Sequence, residues 1–304
     1  MITKKPQIKD SYKKELIFTD SARDGWGMVL NSLPSTSKIL LPSYIGITDR
    51  EGSGIYDPVK NSGLAHDFYA LNDDLSISID VIEYHLKKES YKLILLVHYF
   101  GFKIQNINEI VTLCKQYNVV VVEDCAHLYN LNLHDYSDVG NFGDYAFYSL
   151  HKNFPFDNGG ILVQNGSKVC VKLEIKHKTG FNENLMCYNA SEIAKKRIDN
   201  YNKIDLLIKS VKGVKPLKVI KKGDIPHTYP ILVENGLREK LYFWLIDKNI
   251  TLIALYYRLI PELQNEMFTN MKFISDNILN LPIHQDISNN DINIMIDKIK
   301  EFYE

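Results

Sequence analysis

Two all-apolar runs joined by a helical segment constrain the fold most strongly. Residues 93–97 read LILLV and residues 119–122 read VVVV. Between them, apolar residues recur at helical spacing, namely Ile107, Ile110, Val111 and Cys114. Strands without polar alternation are buried on both faces, which is typical of a parallel sheet whose strands are connected by helices. The segment therefore predicts a right-handed βαβ unit.

Similar signals lie on both sides of this unit. Ser21–Leu33 has the pattern of a helix, and KILLP at 38–42 has that of a buried strand. Further apolar runs at 146–150 and 161–163 flank a Gly-Gly pair. We therefore predict an α/β protein with a large, mainly parallel sheet.

The pattern changes near Ser191. A long amphipathic helix is predicted there, with Arg197 among its residues, and an α+β region follows. Strands are predicted near 229–233 and 252–256, with helices around 237–245 and 292–302. We expect a large domain at 1–210, including this connector helix, and a small C-terminal domain at 211–304.

Composition excludes several classes of partner. The chain has 36 basic and 37 acidic side chains, and this balance gives no field for nucleic acid or an anionic membrane. Its four cysteines lack the paired spacing of a disulfide framework or a zinc site, so no metal is expected. The first residues carry no apolar leader, and the apolar run near 93–102 is too short to span a bilayer. We expect a soluble, cytoplasmic protein.

Candidate catalytic residues follow the predicted strands. In open α/β sheets, ligands bind beyond the carboxyl ends of the strands. Asp124 and His127 follow the second apolar run, and Lys152 follows the run that ends near residue 150. A lysine at a strand end suits a Schiff base, and an acid beside it suits a pyridoxal phosphate (PLP) pocket. Read singly, Asp124 is equally a helix cap and His127 a satisfied polar side chain.

The first predicted helix offers a second candidate site. Its N-terminus carries Ser21, Ala22 and Arg23, where small residues let backbone N–H groups approach a phosphate and Arg23 adds positive charge. The same residues also fit an ordinary N-cap.

Three stretches carry a resemblance to a known family. They are EDCAHLYN at 123–130, VGNFGDYAFYSLHKN at 139–153 and NGGILVQN at 158–165. In order, and nearly throughout in spacing, they resemble the motifs of the PLP-dependent sugar aminotransferases of the DegT/StrS group, a fold-type I family. VHYFG at 97–101, DSAR at 20–23 and LPSY at 41–44 extend the resemblance.

The resemblance implies a role for each matching residue. Lys152 corresponds to the lysine that binds PLP covalently, Asp124 faces the pyridine nitrogen, and His127 lies beside the ring oxygen or the phosphate. Phosphate contacts are implied for Ser21, Ala22, Arg23 and Ser149. Tyr44 corresponds to the residue stacked on the ring, and Asn182 to one that reaches the phosphate of a neighbouring subunit. Ser149 and Lys152 stand closer together than in many members, whereas the distance from Lys152 to Gly159-Gly160 is kept.

The implied function is amination of a keto-sugar nucleotide, with glutamate or glutamine as amino donor, by a homodimeric PLP enzyme in surface-polysaccharide or antibiotic-sugar biosynthesis. Two alternatives share the fold: a PLP enzyme for a different amino or keto substrate, and a catalytically silent binding protein. A nicotinamide-binding domain is disfavoured because no G-x-G-x-x-G follows a strand.

Overall fold

The computed structural model describes residues 15–128, 137–166, 188–252 and 255–304. The strands are β1 (Glu15–Thr19), β2 (Lys38–Pro42), β3 (Ala65–Tyr69), β4 (Leu93–Val97), β5 (Val120–Asp124), β6 (Tyr145–Ser149), β7 (Gly160–Gln164), β8 (Val214–Pro216), β9 (Thr228–Val233) and β10 (Ile278–Pro282). The helices are α1 (Ala22–Asn31), α2 (Tyr56–Ser62), α3 (Ile79–Lys88), α4 (Ile107–Gln116), α5 (Ala190–Ile208), α6 (Arg238–Asp247), α7 (Thr269–Asn277) and α8 (Asn289–Tyr303). Within these ranges, no helix combines the length and apolarity that crossing a bilayer requires.

A seven-stranded sheet forms the larger part of the molecule. Its order is β1-β7-β6-β5-β4-β2-β3, and β3, β2, β4, β5 and β6 run parallel to one another. β7 is antiparallel to both β6 and β1. The prediction of an α/β fold with a large, mainly parallel sheet is confirmed.

The predicted βαβ unit is β4-α4-β5. Leu93 pairs with Val120 and Val97 with Asp124, in parallel register. All residues of β4, β5 and β6 are buried, because helices and connecting segments cover both faces. α4 turns its apolar stripe inward, as the spacing of Ile107, Ile110 and Cys114 requires. The parallel register brings the carboxyl ends of β4 and β5 to the same edge of the sheet.

The C-terminal part contains a second, antiparallel sheet in the order β10-β9-β8. The strand predicted at 252–256 is wrong for its described residues, because Leu255 and Tyr256 lie outside any strand and Tyr256 has φ 56°. A left-handed backbone is incompatible with extended pairing. β10, which the sequence analysis missed, pairs with β9 instead.

A glycine turn brings the β6–β7 hairpin against the start of α1. Gly159 has φ 116°, and its N–H donates to the Asp20 carbonyl oxygen at 2.8 Å. Gly160 lies so close that an added Cβ would stand 2.3 Å from the carbonyl carbon of Ser21 and 2.4 Å from the nitrogen of Ala22. The NGG sequence therefore permits backbone contact between two elements that carry candidate phosphate-binding residues.

We expect Gly160→Ala to destabilise the protein. The new methyl group meets backbone atoms rather than a flexible side chain, so α1 or the hairpin must shift, at a cost of about 1–3 kcal/mol. Urea unfolding measures the loss. The matched control is Gly27→Ala within α1, where the nearest atom is 4.0 Å away and the helix propensity of alanine favours the variant. Equal stability of the two variants would contradict this close packing.

Candidate active site

The carboxyl edge of the main sheet contains a cavity of about 140 Å³. Asp124, His127 and Lys152 all line it, so three residues that the sequence analysis singled out meet in one place. Residues 46–48 and 52–55, together with Leu255 and Tyr256, contribute a further part of the lining. The cavity is therefore the candidate active site.

Asp124 is the last residue of β5 and is buried. Its Oδ1 accepts a hydrogen bond from the Ala126 N–H at 2.8 Å, and within the described residues no hydrogen bond reaches its Oδ2. Burial raises the pKa of the carboxyl, while the Ala126 N–H and the positive charge of Lys152 oppose this rise. One oxygen of this buried acid is thus open to a cationic or N–H donor in the cavity.

Lys152 stands in the turn that follows β6 and is half-buried. Burial lowers the pKa of its amine, against the opposing charges of Asp124 and Glu51. A larger fraction of the amine is therefore unprotonated than for a lysine in water, and this is the form that attacks a carbonyl carbon. The adjacent His151 is exposed, lies outside the cavity and contacts Ser149 Oγ through Nδ1 at 3.3 Å.

His127 is buried and neutral. The Phe100 N–H donates to its Nδ1 at 3.1 Å, which assigns the ring proton to Nε2. Burial lowers the pKa of the imidazole well below its ordinary value, and the charges of Lys152 and His227 add to this effect. His127 is therefore a hydrogen-bond donor through Nε2.

The sequence analysis missed His227, which stacks on His127 with ring centroids 5.2 Å apart and an interplanar angle of 13°. Arg197 of α5 donates to His227 Nδ1 at 3.1 Å and to the carbonyl oxygen of Lys152 at 3.3 Å. Burial lowers the pKa of Arg197 to about 10. In the sequence, the sign that this part of the chain contributes to the site is Arg197, a charged residue on the apolar stripe of α5 between Ala194 and Tyr201.

Behind the cavity, Glu123 is buried and fully hydrogen-bonded. Its oxygens accept from the N–H groups of Gly140, Phe142 and Gly143 at 2.7–2.8 Å and from His98 Nε2 at 3.0 Å. His98, Glu123 and Cys125 lie close enough together to hold a metal ion. Because the carboxylate oxygens of Glu123 already accept four hydrogen bonds, the pair of His98 and Glu123 works as a clamp between β4, β5 and the turn before β6.

The predicted phosphate-binding residues lie outside the cavity lining. Ser21 caps α1, its Oγ accepting from the Asp24 N–H at 3.2 Å, and Ala22 is the first residue of the helix. Arg23 donates to the Glu51 carbonyl oxygen at 2.6 Å, yet its charge still lowers the pKa of Lys152. Ser149 is buried at the end of β6.

Two further predicted residues lie elsewhere. Tyr44 is fully buried behind Tyr256, whose ring stacks on it at 5.1 Å and itself lines the cavity. Tyr256 is therefore a second candidate for the predicted stacking residue. Asn182 lies outside the described residues.

Comparisons with known proteins found similar sequences and structures. The family model described as the DegT/DnrJ/EryC1/StrS aminotransferase family matches residues 59–190. GDP-perosamine synthase from Escherichia coli O157:H7 is 25% identical over 261 residues, which cover 76% of this chain and 71% of that protein. The dTDP-3-amino-3,6-dideoxy-alpha-D-galactopyranose transaminase from Aneurinibacillus thermoaerophilus is 23% identical over 242 residues, 69% of this chain and 65% of that protein.

Solved structures extend the likeness to almost the whole fold. Helicobacter pylori PseC, an aminotransferase involved in the biosynthesis of pseudoaminic acid, matches with a TM-score of 0.75 and 19% identity, covering 95% of this chain and 86% of that chain. Other matching structures of this fold include PLP and pyridoxamine phosphate forms. The chain is thus similar to the DegT/DnrJ/EryC1/StrS aminotransferases over residues 59–190, and its fold is similar to theirs over most of its length.

Proposed function

We propose that this protein is a PLP-dependent aminotransferase that converts a keto-sugar nucleotide to an amino sugar, with an amino acid as the nitrogen donor. The single observation that carries the proposal is the meeting of Asp124, His127 and Lys152 in one cavity at the carboxyl edge of the sheet. The names of the two curated relatives support a nucleotide-linked sugar as the substrate class, and they differ in the nucleotide.

The residues present fit PLP. The open Oδ2 of Asp124 suits a protonated ring nitrogen, and the lowered pKa of Lys152 suits a covalent bond to an aldehyde carbon. When bound, PLP supplies an electron sink and carries the amino group between donor and acceptor. The N-terminus of α1, with Ser21, Ala22 and Arg23, is proposed to hold the phosphate together with Ser149.

Each cavity residue has a defined task under this proposal. Asp124 holds a proton on the ring nitrogen through its negative charge, because opposite charges favour each other's ionised forms. Lys152 Nζ would carry a proton between the substrate carbon and a carbon of the cofactor, and its lowered pKa suits an amine that must both accept and release a proton. His127, whose Nδ1 is occupied by the Phe100 N–H, would donate through Nε2 to the ring oxygen or the phosphate of PLP.

The first experiment compares the wild-type protein with variants at two adjacent residues. With PLP, the wild-type protein should show a visible absorption band that shifts when glutamate or glutamine is added. Lys152→Ala should lose the band, the shift and turnover, because only an amine forms the covalent link. His151→Ala is the matched control, since His151 is exposed outside the cavity, and it should keep the shift and turnover.

Borohydride reduction and peptide mass analysis then identify the residue attached to PLP. A pyridoxyl group on any residue other than Lys152 would refute the assigned chemistry. A wild-type protein that binds PLP but shows no shift with any amino donor would favour a silent binding protein.

Asp124→Asn should abolish most of the activity while the fold survives. The variant keeps the shape of the side chain and removes the charge that protonates the ring nitrogen, so a loss in rate of at least about a hundredfold is expected. Because burial raises the pKa of Asp124, the ionised form opposes folding above the carboxyl's ordinary pKa, and a neutral amide should leave stability at pH 7 equal or higher. Asp80→Asn, on the exposed face of α3, is the control. Retention of most turnover by Asp124→Asn would show that the strand end is wrongly assigned.

We also propose that the protein is a cytoplasmic homodimer divided into domains at 1–210 and 211–304. By the family resemblance, we expect Asn182 to reach the phosphate bound by the neighbouring subunit. Light scattering of the PLP-loaded protein should give twice the mass of one chain, and Asn182→Ala should weaken PLP binding without dissociating the dimer. A monomer that retains PLP would contradict this assembly.

A further inference from the structure

Tyr256 brings a phenol ring from the C-terminal part of the chain into the candidate active site. The ring lines the cavity together with Asp124 and Lys152. It is surrounded by other aromatic rings, with centroid distances between 5.1 and 5.9 Å, contributed by Tyr44, Tyr99, Phe100 and His127. The ring is only half-buried, so part of its surface remains open in the cavity.

The backbone fixes this placement. Tyr256 has φ 56°, which is costly for a bulky residue and persists only where the surroundings impose it. Its carbonyl oxygen accepts hydrogen bonds from Ser275 Oγ at 2.8 Å and Tyr44 Oη at 3.3 Å. The residues that follow pair with the segment after β2, since Ile47 N–H donates to the Arg258 carbonyl oxygen at 3.0 Å.

Gly46 provides the room for the ring. A Cβ added to Gly46 would lie 3.0 Å from Tyr256 Cδ1 and 3.1 Å from Tyr256 Cα. Gly46 also lines the cavity, so any side chain at this position would compete with the phenol ring for the same wall. The absence of a side chain at Gly46 therefore leaves the space that the Tyr256 ring occupies.

We propose that Tyr256 is a cofactor-contacting residue whose ring packs against the ring of PLP, and that Gly46 is a positioning residue that makes room for it. This inference rests on the proposed PLP-dependent function. Planar rings gain most from offset stacking or edge contacts, and an aromatic wall beside Asp124 and Lys152 offers such a surface. Burial and the negative charge of Asp124 both raise the pKa of the phenol, so Tyr256 enters this contact uncharged.

The opposite reading is that the phenol ring obstructs the cavity and must leave before PLP binds. The two readings predict opposite signs for the effect of removing the ring. If the ring is a contact surface, its removal weakens PLP binding. If the ring is an obstruction, its removal strengthens PLP binding.

The experiment measures the dissociation constant of PLP by titration into apoprotein, followed by visible absorption and by the visible circular dichroism of the bound cofactor. Tyr256→Leu should raise the dissociation constant about tenfold and reduce the dichroic band, because a flat aromatic ring is replaced by a branched aliphatic side chain. Tyr256→Phe keeps the ring and should stay within about twofold of wild type. Gly46→Ala should also weaken binding, because its methyl group displaces Tyr256.

The matched control is Tyr257→Leu, which removes the neighbouring ring that contacts Arg238 and leaves the cavity lining intact. Its dissociation constant should equal that of the wild type. Urea unfolding of each variant confirms the fold, and Gly46→Ala keeps the test decisive if Tyr256→Leu does not fold.

Tighter or unchanged binding by folded Tyr256→Leu or Gly46→Ala would overturn the inference while leaving the proposed function intact. Failure of the wild-type protein to bind PLP would instead refute the proposed function, and this inference with it.

Discussion

The hydrogen bonding of Glu123 is the interaction on which the active-site edge depends. A buried carboxylate is costly unless its oxygens are satisfied, and here three backbone N–H groups and His98 satisfy them. The donors Gly140, Phe142 and Gly143 belong to the turn that leads into β6. Glu123 thereby fixes where β6 begins beside β5, and with it the position of Lys152 at the far end of that strand.

Strand geometry explains why the neighbouring acid behaves differently. Successive side chains of a strand point to opposite faces, so Glu123 and Asp124 of β5 face different surroundings. Among the residues that the structure describes, Glu123 accepts four side-chain hydrogen bonds, whereas Asp124 accepts one and lines the cavity. Burial therefore raises the pKa of Asp124 without full compensation. Of these two adjacent carboxylates, Glu123 therefore supports the structure, and Asp124 is available for chemistry in the cavity.

The sequence predicted features that depend on local pattern. Apolar runs located β2, β4, β5 and β6, and the rule of strand ends brought Asp124 and Lys152 to one edge. His227 was beyond this reasoning, because it reaches the site through contacts with residues far away in the chain. The same cause explains the wrong strand at 252–256, where a continuous apolar run fits an extended segment but the contacts of Tyr256 impose a left-handed backbone. Residue pattern carries no information on the hydroxyl groups that hold the Tyr256 carbonyl oxygen.

Arg197, His227 and His127 contact one another in that order, and these contacts help to orient the Nε2 donor of His127 in the cavity. In the described part of the chain, the hydrogen-bond partners of Arg197 are carbonyl, amide and imidazole groups. Burial and the positive charge of Arg197 lower the pKa of His227, which accepts through Nδ1 and stacks on His127. His127 in turn accepts from the Phe100 N–H through its own Nδ1. Both rings are therefore neutral with the proton on Nε2, and because their pKa values lie well below 6.5, the donor at His127 keeps its direction throughout the neutral pH range.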